Sequence, residues 1–200
     1  MTITPPLLLG RSRARGLGAL PLACVLVLGA CGEQTLTTGG QAELTASLDF
    51  VPNKEELSQT IDFASQGDLA ALKGQVKCGY LDPTASYISL EKFTGGAGAP
   101  WTLEVSLVIG ADTVSLLSAR GTLTTSQRDI TFAQPEAGLL RAGEERLATA
   151  LMLNAGASSV TFRYSFSVDG DPVVSAQFQV VTVMRFETAD GPTCPSPTGK

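Results

Sequence analysis

The fold is decided by residues 160–186, which read VTFRYSFSVDGDPVVSAQFQVVTVMRF. On either side of the turn signal Asp169-Gly170-Asp171-Pro172, apolar side chains occupy the even-numbered positions and mainly polar ones the odd-numbered positions. A period of two is typical of a strand that buries one face. The stretch therefore predicts two strands joined by a tight turn, which is the pattern of a β-hairpin.

The register of this hairpin follows from its buried face. Partners across an antiparallel pair point to the same side of a sheet, so even-numbered residues must pair with even-numbered ones. A three-residue loop over 169–171 meets that condition and places Phe166 opposite Val174 and Phe162 opposite Phe178. Gly170, or a bulge beside it, then takes the positive-φ position.

Further strands are predicted towards the N-terminus from the same alternation and from turn residues between the runs. The clearest is 101–109, which Gly110-Ala111-Asp112 connects to 113–119 as a second hairpin. The remaining candidates are 44–50, 60–63, 86–93, 121–125 and 129–133.

Two stretches carry a helical signal. Residues 135–141 predict a short helix, with Pro135 at its start. Leu147 and Leu151 suit a helix face, but the alternation of residues 147–153 suits a strand equally well. Gly143 and the strand-rich surroundings favour the interpretation of 144–153 as a strand.

Between eight and ten short strands with regular turns predict an all-β fold, an antiparallel β-sandwich with one short helix. An immunoglobulin-like sandwich and a jelly roll fit the pattern comparably. The domain is expected to occupy residues 42–188.

Composition excludes several classes of function. The chain of 200 residues contains no histidine, which removes Ser-His and Cys-His nucleophile pairs and histidine metal ligands. Residues after position 30 hold all 19 acidic side chains and 11 of the 14 basic ones, a net charge of −8. An acidic chain without basic runs argues against nucleic-acid binding.

The N-terminus has the composition of an export signal. Arg11, Arg13 and Arg15 precede an apolar run over 16–30. A transmembrane helix needs about 20 apolar residues, so fifteen are too few, and the length suits the apolar region of a signal peptide.

The apolar run ends in Leu28-Gly29-Ala30-Cys31, which resembles the lipobox of bacterial lipoprotein precursors. The resemblance covers only the first 31 residues. It implies cleavage before Cys31, a lipid on that sulfur, and membrane attachment through several acyl chains. Gly32 in place of aspartate favours the outer membrane or cell surface. The alternatives are a lipobox at Cys24 and a signal anchor in which the cysteine is incidental.

These observations divide the chain into four parts. Residues 1–30 are predicted to be a cleaved lipoprotein signal peptide, and residues 31–41 a lipidated, flexible tether. Residues 42–188 form the sandwich, and the proline-rich residues 189–200 form an irregular tail.

The other two cysteines, Cys78 and Cys194, are an even pair in an exported domain and predict a structural disulfide. It closes a loop of roughly 117 residues and pins the tail to the body. A redox-active pair is the alternative, but a C-x-x-C spacing is absent.

Two short motifs match catalytic or nucleotide-binding patterns. Ser89 and Lys92 match S-x-x-K, but the S-D-N and K-T-G companions of penicillin-recognising enzymes are absent. A strand would also point the two side chains to opposite faces. Gly96-Ala97-Gly98 lacks the third glycine of a dinucleotide fingerprint and predicts a loop.

Acidic residues offer a metal site as an alternative to turn chemistry. Asp169 and Asp171 could bind Ca²⁺ with Asp112 or Asp190, but the spacing matches no calcium loop. The pairs Glu55-Glu56 and Glu144-Glu145 are interpreted as solvated charge. No metal or cofactor is therefore predicted.

Trp101, Tyr80 and Tyr87 are the candidate ligand-binding residues, as a platform on which sugar rings could stack. Core packing is the competing interpretation for Trp101, which begins an apolar face. The sequence thus predicts a lipid-anchored cell-envelope protein with a non-catalytic binding or structural domain. The alternatives are a glycan- or peptidoglycan-contacting module, a carboxylate-dependent hydrolase, and an accessory protein with an envelope protein as its partner.

Overall fold

The structure, a computed structural model, describes residues 25–28, 32–37, 40–51, 56–62, 76–152, 159–170, 174–188 and 194–200. Its strands are β1 Val25–Leu28, β2 Gly32–Thr37, β3 Gln41–Phe50, β4 Glu56–Asp62, β5 Val76–Leu81, β6 Tyr87–Thr94, β7 Pro100–Ile109, β8 Asp112–Thr122, β9 Ile130–Thr131, β10 Ser159–Val168 and β11 Ser175–Thr188. A 3₁₀ helix spans Pro135–Ala137, and an α-helix, α1, spans Arg141–Leu151. Two antiparallel sheets pack face to face, which confirms the predicted β-sandwich.

The large sheet is built around β11. Its order is β1-β2-β3-β11-β6-β9, and β5 pairs with β11 beyond the end of β6. Between β5 and β6 the chain turns, yet β11 keeps its hydrogen bonds there. The Val183 N–H donates to Ser86 Oγ at 2.8 Å, and the Val183 carbonyl accepts from the Asp82 N–H at 2.8 Å. The turn therefore satisfies the backbone groups that a continuous strand would have paired.

The small sheet has the order β4-β10-β7-β8. Its β7–β8 hairpin is the one predicted from the sequence, with Ile109 paired to Asp112. Gly110 takes φ +64°, as a two-residue hairpin loop requires. A bulge at Leu116 shifts the register between Val105 and Ser106, and this bulge meets α1.

The core lies between the sheets and is rich in aromatic rings. Phe178 of β11 lies 5.2 Å from Phe166 of β10 and 5.0 Å from Trp101 of β7, measured between ring centroids. Phe50 of β3 joins them at 5.1 Å from Phe166. Edge-on and tilted rings at these separations add to the apolar burial.

The hairpin predicted for β10 and β11 is wrong. β10 pairs with β4 and β7, whereas β11 pairs with β3, β5 and β6. The alternation itself is correct, since Phe162, Phe166 and Phe178 are buried. Two strands that face each other across a core bury the same even positions as two strands side by side, so the pattern does not separate the two arrangements.

The strand predicted over 144–153 is also wrong, because residues up to Leu151 belong to α1. Leu147 and Leu151 are fully buried on one helix face. Gly143 does not end the helix. Its missing side chain lets α1 approach the backbone of Ser115 and Leu116 closely. The expected short helix is present as the 3₁₀ turn Pro135–Ala137.

The two segments predicted to flank the sandwich differ in secondary structure. Within the predicted tether 31–41, residues Gly32–Thr37 form β2, which pairs with β3. Residues 194–200 contain no helix or strand. Cys31 and most of the leader lie outside the described residues. In the described ranges there is no helix of the length and hydropathy needed to cross a membrane.

Candidate functional site

A pocket of about 340 Å³ lies between β5, helix α1 and the tail 194–200. The turn after β5 forms one end of it, and Met152 at the end of α1 also lines it. This volume falls at the lower end of the range for small-molecule sites.

The disulfide between Cys78 and Cys194 closes one side of the pocket. It is the pairing predicted from the sequence, with 5.9 Å between the two Cα atoms. Cys78 lies within β5, so the bridge attaches the tail directly to the large sheet. Pro195 and Pro197 then continue along the pocket wall.

The far end of the tail is held by Glu144 in the first turns of α1. Its Oε2 accepts hydrogen bonds from the backbone N–H groups of Thr198 and Gly199, each 2.8 Å long. Lys200 donates its N–H to the Leu139 carbonyl at 3.0 Å, and its own carbonyl accepts from Arg141 at 3.0 Å. The tail is thus fixed at both ends across the pocket.

Helix α1 supplies the second wall. Glu144, Ala148, Thr149 and Met152 line the pocket. Their spacing of four, one and three residues places them on one helix face. The adjacent face, with Leu147 and Leu151, is buried in the core.

Strand β5 supplies the third wall, and Tyr80 is its largest side chain. Its hydroxyl donates to Glu187 Oε1 at 3.1 Å. Burial, followed by the hydrogen bond and the charge of Glu187, raises the pKa of Tyr80 above its ordinary value. Tyr80 is therefore a neutral, partly buried lining residue.

Asp82 anchors the turn at the end of β5. Its Oδ1 accepts hydrogen bonds from Thr84 and from the Ala85 N–H, and Oδ2 lies 2.6 Å from Nε of Arg185. Burial disfavours its charged form, but the hydrogen bonds from Thr84, Arg185 and Ala85 outweigh burial and hold the pKa of Asp82 below its ordinary value. Both carboxylate oxygens are thus occupied.

The charge on the pocket wall is negative. Asp82 and Glu144 line it, whereas no lysine or arginine of the described ranges does. Arg185 neutralises Asp82. Glu144 is 4% exposed, and within the described residues it has no ion-pair partner and no donor on Oε1.

The three predicted ligand-binding residues do not come together. Trp101 is 2% exposed, and its Nε1 donates to Gln127 Oε1 at 3.1 Å. It lies in the small sheet and has no free ring face on which a sugar could stack. Tyr80 lines the pocket, whereas Tyr87 is on β6 beside Val181, away from the lining.

The S-x-x-K residues lie on β6, as predicted, but their side chains do not point to opposite faces as simple alternation predicts. A bulge at Glu91 shifts the register, so Ser89 and Lys92 pair with Gln179 and Gln177 and share the outer face. No hydrogen bond joins them in the described structure. The Gly96-Ala97-Gly98 stretch is a loop, with φ +60° at Gly96 and +82° at Gly98.

The acidic residues weighed for calcium are dispersed. Asp112 forms an exposed ion pair with Arg146 at 2.6 Å, and Asp169 lies in the turn after β10. Asp171 and Asp190 lie outside the described residues. Across the described ranges, no three acidic, cysteine or histidine residues form a group that could hold a metal ion.

Sequence analysis missed Glu144, which it interpreted as solvated charge together with Glu145. Glu145 is exposed and pairs with Arg141 at 2.8 Å, but Glu144 is buried. If residues 144–153 are interpreted as a helix, their spacing predicts that Glu144 is buried. Glu144 stands three and seven residues before Leu147 and Leu151, on the buried side of the helix. Glu55, from the other pair, lies outside the described residues.

Comparisons with known proteins give no family. No family model matches the chain, and no curated protein matches it. A solved structure titled Desmodium yellow mottle tymovirus is 12% identical over 97% of this chain and 100% of that chain, with a TM-score of 0.25. A likeness at that TM-score supports no argument about fold or function.

Proposed function

We propose that this chain is a lipid-anchored cell-envelope protein whose β-sandwich acts by binding and not by catalysis. The observation that carries an envelope location is the disulfide between Cys78 and Cys194. Disulfides persist in oxidising compartments and are rare in the cytosol. The disulfide therefore agrees with the export signal predicted over residues 1–30.

The membrane anchor rests on Leu28-Gly29-Ala30-Cys31, the residues that resemble a lipobox. Gly32 follows Cys31 directly and begins β2, which pairs with β3 of the large sheet. Cleavage before Cys31 would remove β1 and leave β2 as the edge strand, so a lipid on Cys31 would hold this edge of the sandwich at the membrane surface. Several acyl chains on one residue give stable attachment, where a single chain is marginal.

The anchor is tested by the intact mass of the protein extracted from membranes. We expect residues 31–200 plus acyl groups, and Cys31→Ala should remain unprocessed while Cys24→Ala behaves as wild type. A mass that retains residues 1–30, or that lacks acyl groups, would contradict the anchor.

The binding role rests on the pocket between β5, α1 and the tail. Its walls are fixed by a disulfide, a helix and two prolines, so it is preformed. Of its lining carboxylates, Asp82 is paired with Arg185, and Glu144 accepts hydrogen bonds from the tail through Oε2. A glycan platform is not favoured, because Trp101 is buried.

A screen of esters, peptides and glycosides on the purified protein separates binding from catalysis. We expect no turnover above background. Turnover that is lost when the pocket is filled by Ala148→Phe would contradict the non-catalytic assignment.

A further inference from the structure

We propose that the pocket beside the disulfide binds a compact apolar ligand that carries a positively charged amine, and that Glu144 binds the amine. This inference deepens the proposed binding role and does not depend on the lipid anchor. It rests on the state of one carboxylate and on the chemistry of the walls around it.

Glu144 is unusually buried for a charged side chain. It is 4% exposed, and its two hydrogen bonds both reach Oε2, from Thr198 and Gly199. The arginines of the described ion pairs are bound elsewhere: Arg141 to Glu145, Arg146 to Asp112 and Arg185 to Asp82. Placing a carboxylate in an apolar setting is costly unless a cation or sufficient donors compensate it.

The pocket supplies the space for such a cation. Glu144 lines it, and the same helix face continues with Ala148 and Met152. Leu81 and Pro83 face them from β5 and its turn, and Pro195 and Pro197 from the tail. These apolar walls suit the hydrocarbon or aromatic part of a ligand. The carboxylate of Glu144 at the edge would select the polar group of that ligand.

Charge decides which polar end fits. Among the described residues, the lining contains two carboxylates and no basic side chain, so an anionic ligand would be repelled. Asp82 already has its cation in Arg185. Among the described residues Glu144 forms no ion pair, and Arg141, which attracts it, is bound to Glu145. An ammonium group would therefore pair with Glu144 and form a charge-assisted hydrogen bond.

A purely structural role for Glu144 is the competing explanation, because it also holds the tail. Glu144→Gln separates the two roles. The amide oxygen can still accept from Thr198 and Gly199, but the negative charge is removed. Hydrogen exchange at those two amides reports the tail contact independently of ligand binding.

The test uses the isolated full chain with its disulfide intact and three probes of similar shape. These are 2-phenylethylamine, the neutral 2-phenylethanol and the anionic 3-phenylpropanoate, titrated while the methyl signals of Ala148 and Met152 are followed by NMR. We expect saturable binding of the amine, about tenfold weaker binding of the alcohol, and none of the acid. Glu144→Gln should lower the affinity for the amine to that for the alcohol. The neighbouring Glu145→Gln should leave the affinities unchanged.

Ala148→Phe fills the pocket away from the tail contact and should abolish binding of all three probes. Equal affinities for amine and alcohol, no saturation at Ala148 and Met152, or binding that survives Ala148→Phe would each overturn the proposal. The experiment needs no membrane. A negative result in the anchor test therefore does not contradict the amine-binding proposal. A negative result in the titration does not contradict the lipid anchor.

Discussion

Gly79 of β5 packs directly against Leu151 in the last turn of α1, with no space between them for another carbon atom. A Cβ on Gly79 would overlap the Leu151 side chain and press on its backbone. This contact fixes the distance between the helix and the large sheet, and with it the width of the pocket.

Gly79→Ala should therefore lower the free energy of unfolding by about 2–3 kcal/mol, because neither backbone can yield easily. Urea unfolding measures the change. Gly98→Ala is the matched control, since its Cβ would meet nothing within 4 Å and only its φ of +82° is unfavourable. We expect about 1 kcal/mol there. Equal losses at both positions would show that steric contact with the helix is unimportant.

Removal of the disulfide should destabilise the chain strongly. Cys78 and Cys194 are separated by 116 positions, so their bridge restricts a large part of the unfolded chain. Cys78→Ser with Cys194→Ser should cost about 2–5 kcal/mol in urea unfolding. Wild type with reductant should match the double variant, and the double variant should not respond to reductant. Identical stability of oxidised and reduced wild type would contradict this prediction.

Tyr164 carries a buried hydroxyl without a hydrogen-bond partner in the described structure. Tyr164→Phe removes a desolvated polar group and leaves the ring in place, so stability should rise by about 1 kcal/mol. The control is Tyr80→Phe, which breaks the bond to Glu187 and should lower stability. A clear loss of stability in Tyr164→Phe would reveal a partner for the hydroxyl.

The same tyrosine should also contribute to loss of stability in alkali. Burial raises the pKa of Tyr164, so its phenol stays neutral in the folded state. Below the unfolded-state pKa of about 10 the phenol is neutral in both states and stability does not depend on its titration. As pH rises from there towards the folded value, only the unfolded state ionises, so stability falls. Urea midpoints of wild type should therefore fall further than those of Tyr164→Phe between pH 9 and pH 11. Parallel curves would contradict the shift.

Asp82 should stabilise the turn after β5 only while it is ionised. Its pKa is depressed in the folded state, so its contribution is complete above the unfolded-state pKa of about 3.9 and is lost as pH falls through the folded value. Asp82→Asn should cost about 1 kcal/mol at pH 7, since Arg185 is partly exposed, and much less below pH 3. Asp112→Asn, which removes an exposed ion pair, should cost nearly nothing. A difference that does not depend on pH would contradict the role of the charge.

Side-chain alternation predicted the faces of the strands but not their neighbours. Leu44, Leu48 and Phe50 of β3 are buried as expected, and so are the even positions of β10 and β11. Alternation records which side of a strand meets the core. Alternation does not indicate whether the next strand lies beside the first one or across the core from it. Strands β10 and β11 lie across the core from each other.

Of the features of the pocket, only the disulfide was predicted from the sequence. The predicted removal of Cys24 and lipidation of Cys31 leave two cysteines with one possible pairing, so the bond between Cys78 and Cys194 was predicted by counting. Glu144 depends on a helix whose sequence also alternates like a strand, and on a tail 54 positions away. The helical spacing to Leu147 and Leu151 indicates its buried side, but its contact with the tail is tertiary and no local pattern encodes it.

The central strand of the large sheet, β11, is also the last of the described strands to be made. A chain that emerges N-terminus first, from a ribosome or from a translocation channel, can form the β7–β8 hairpin early. Strands β3 and β6 can pair with β2 and β9 earlier, but their other edges remain open until β11 is made, because each pairs along β11. Such distant pairings are slow to form. Completion of the large sheet therefore requires β11 and is a late step in the formation of the described fold.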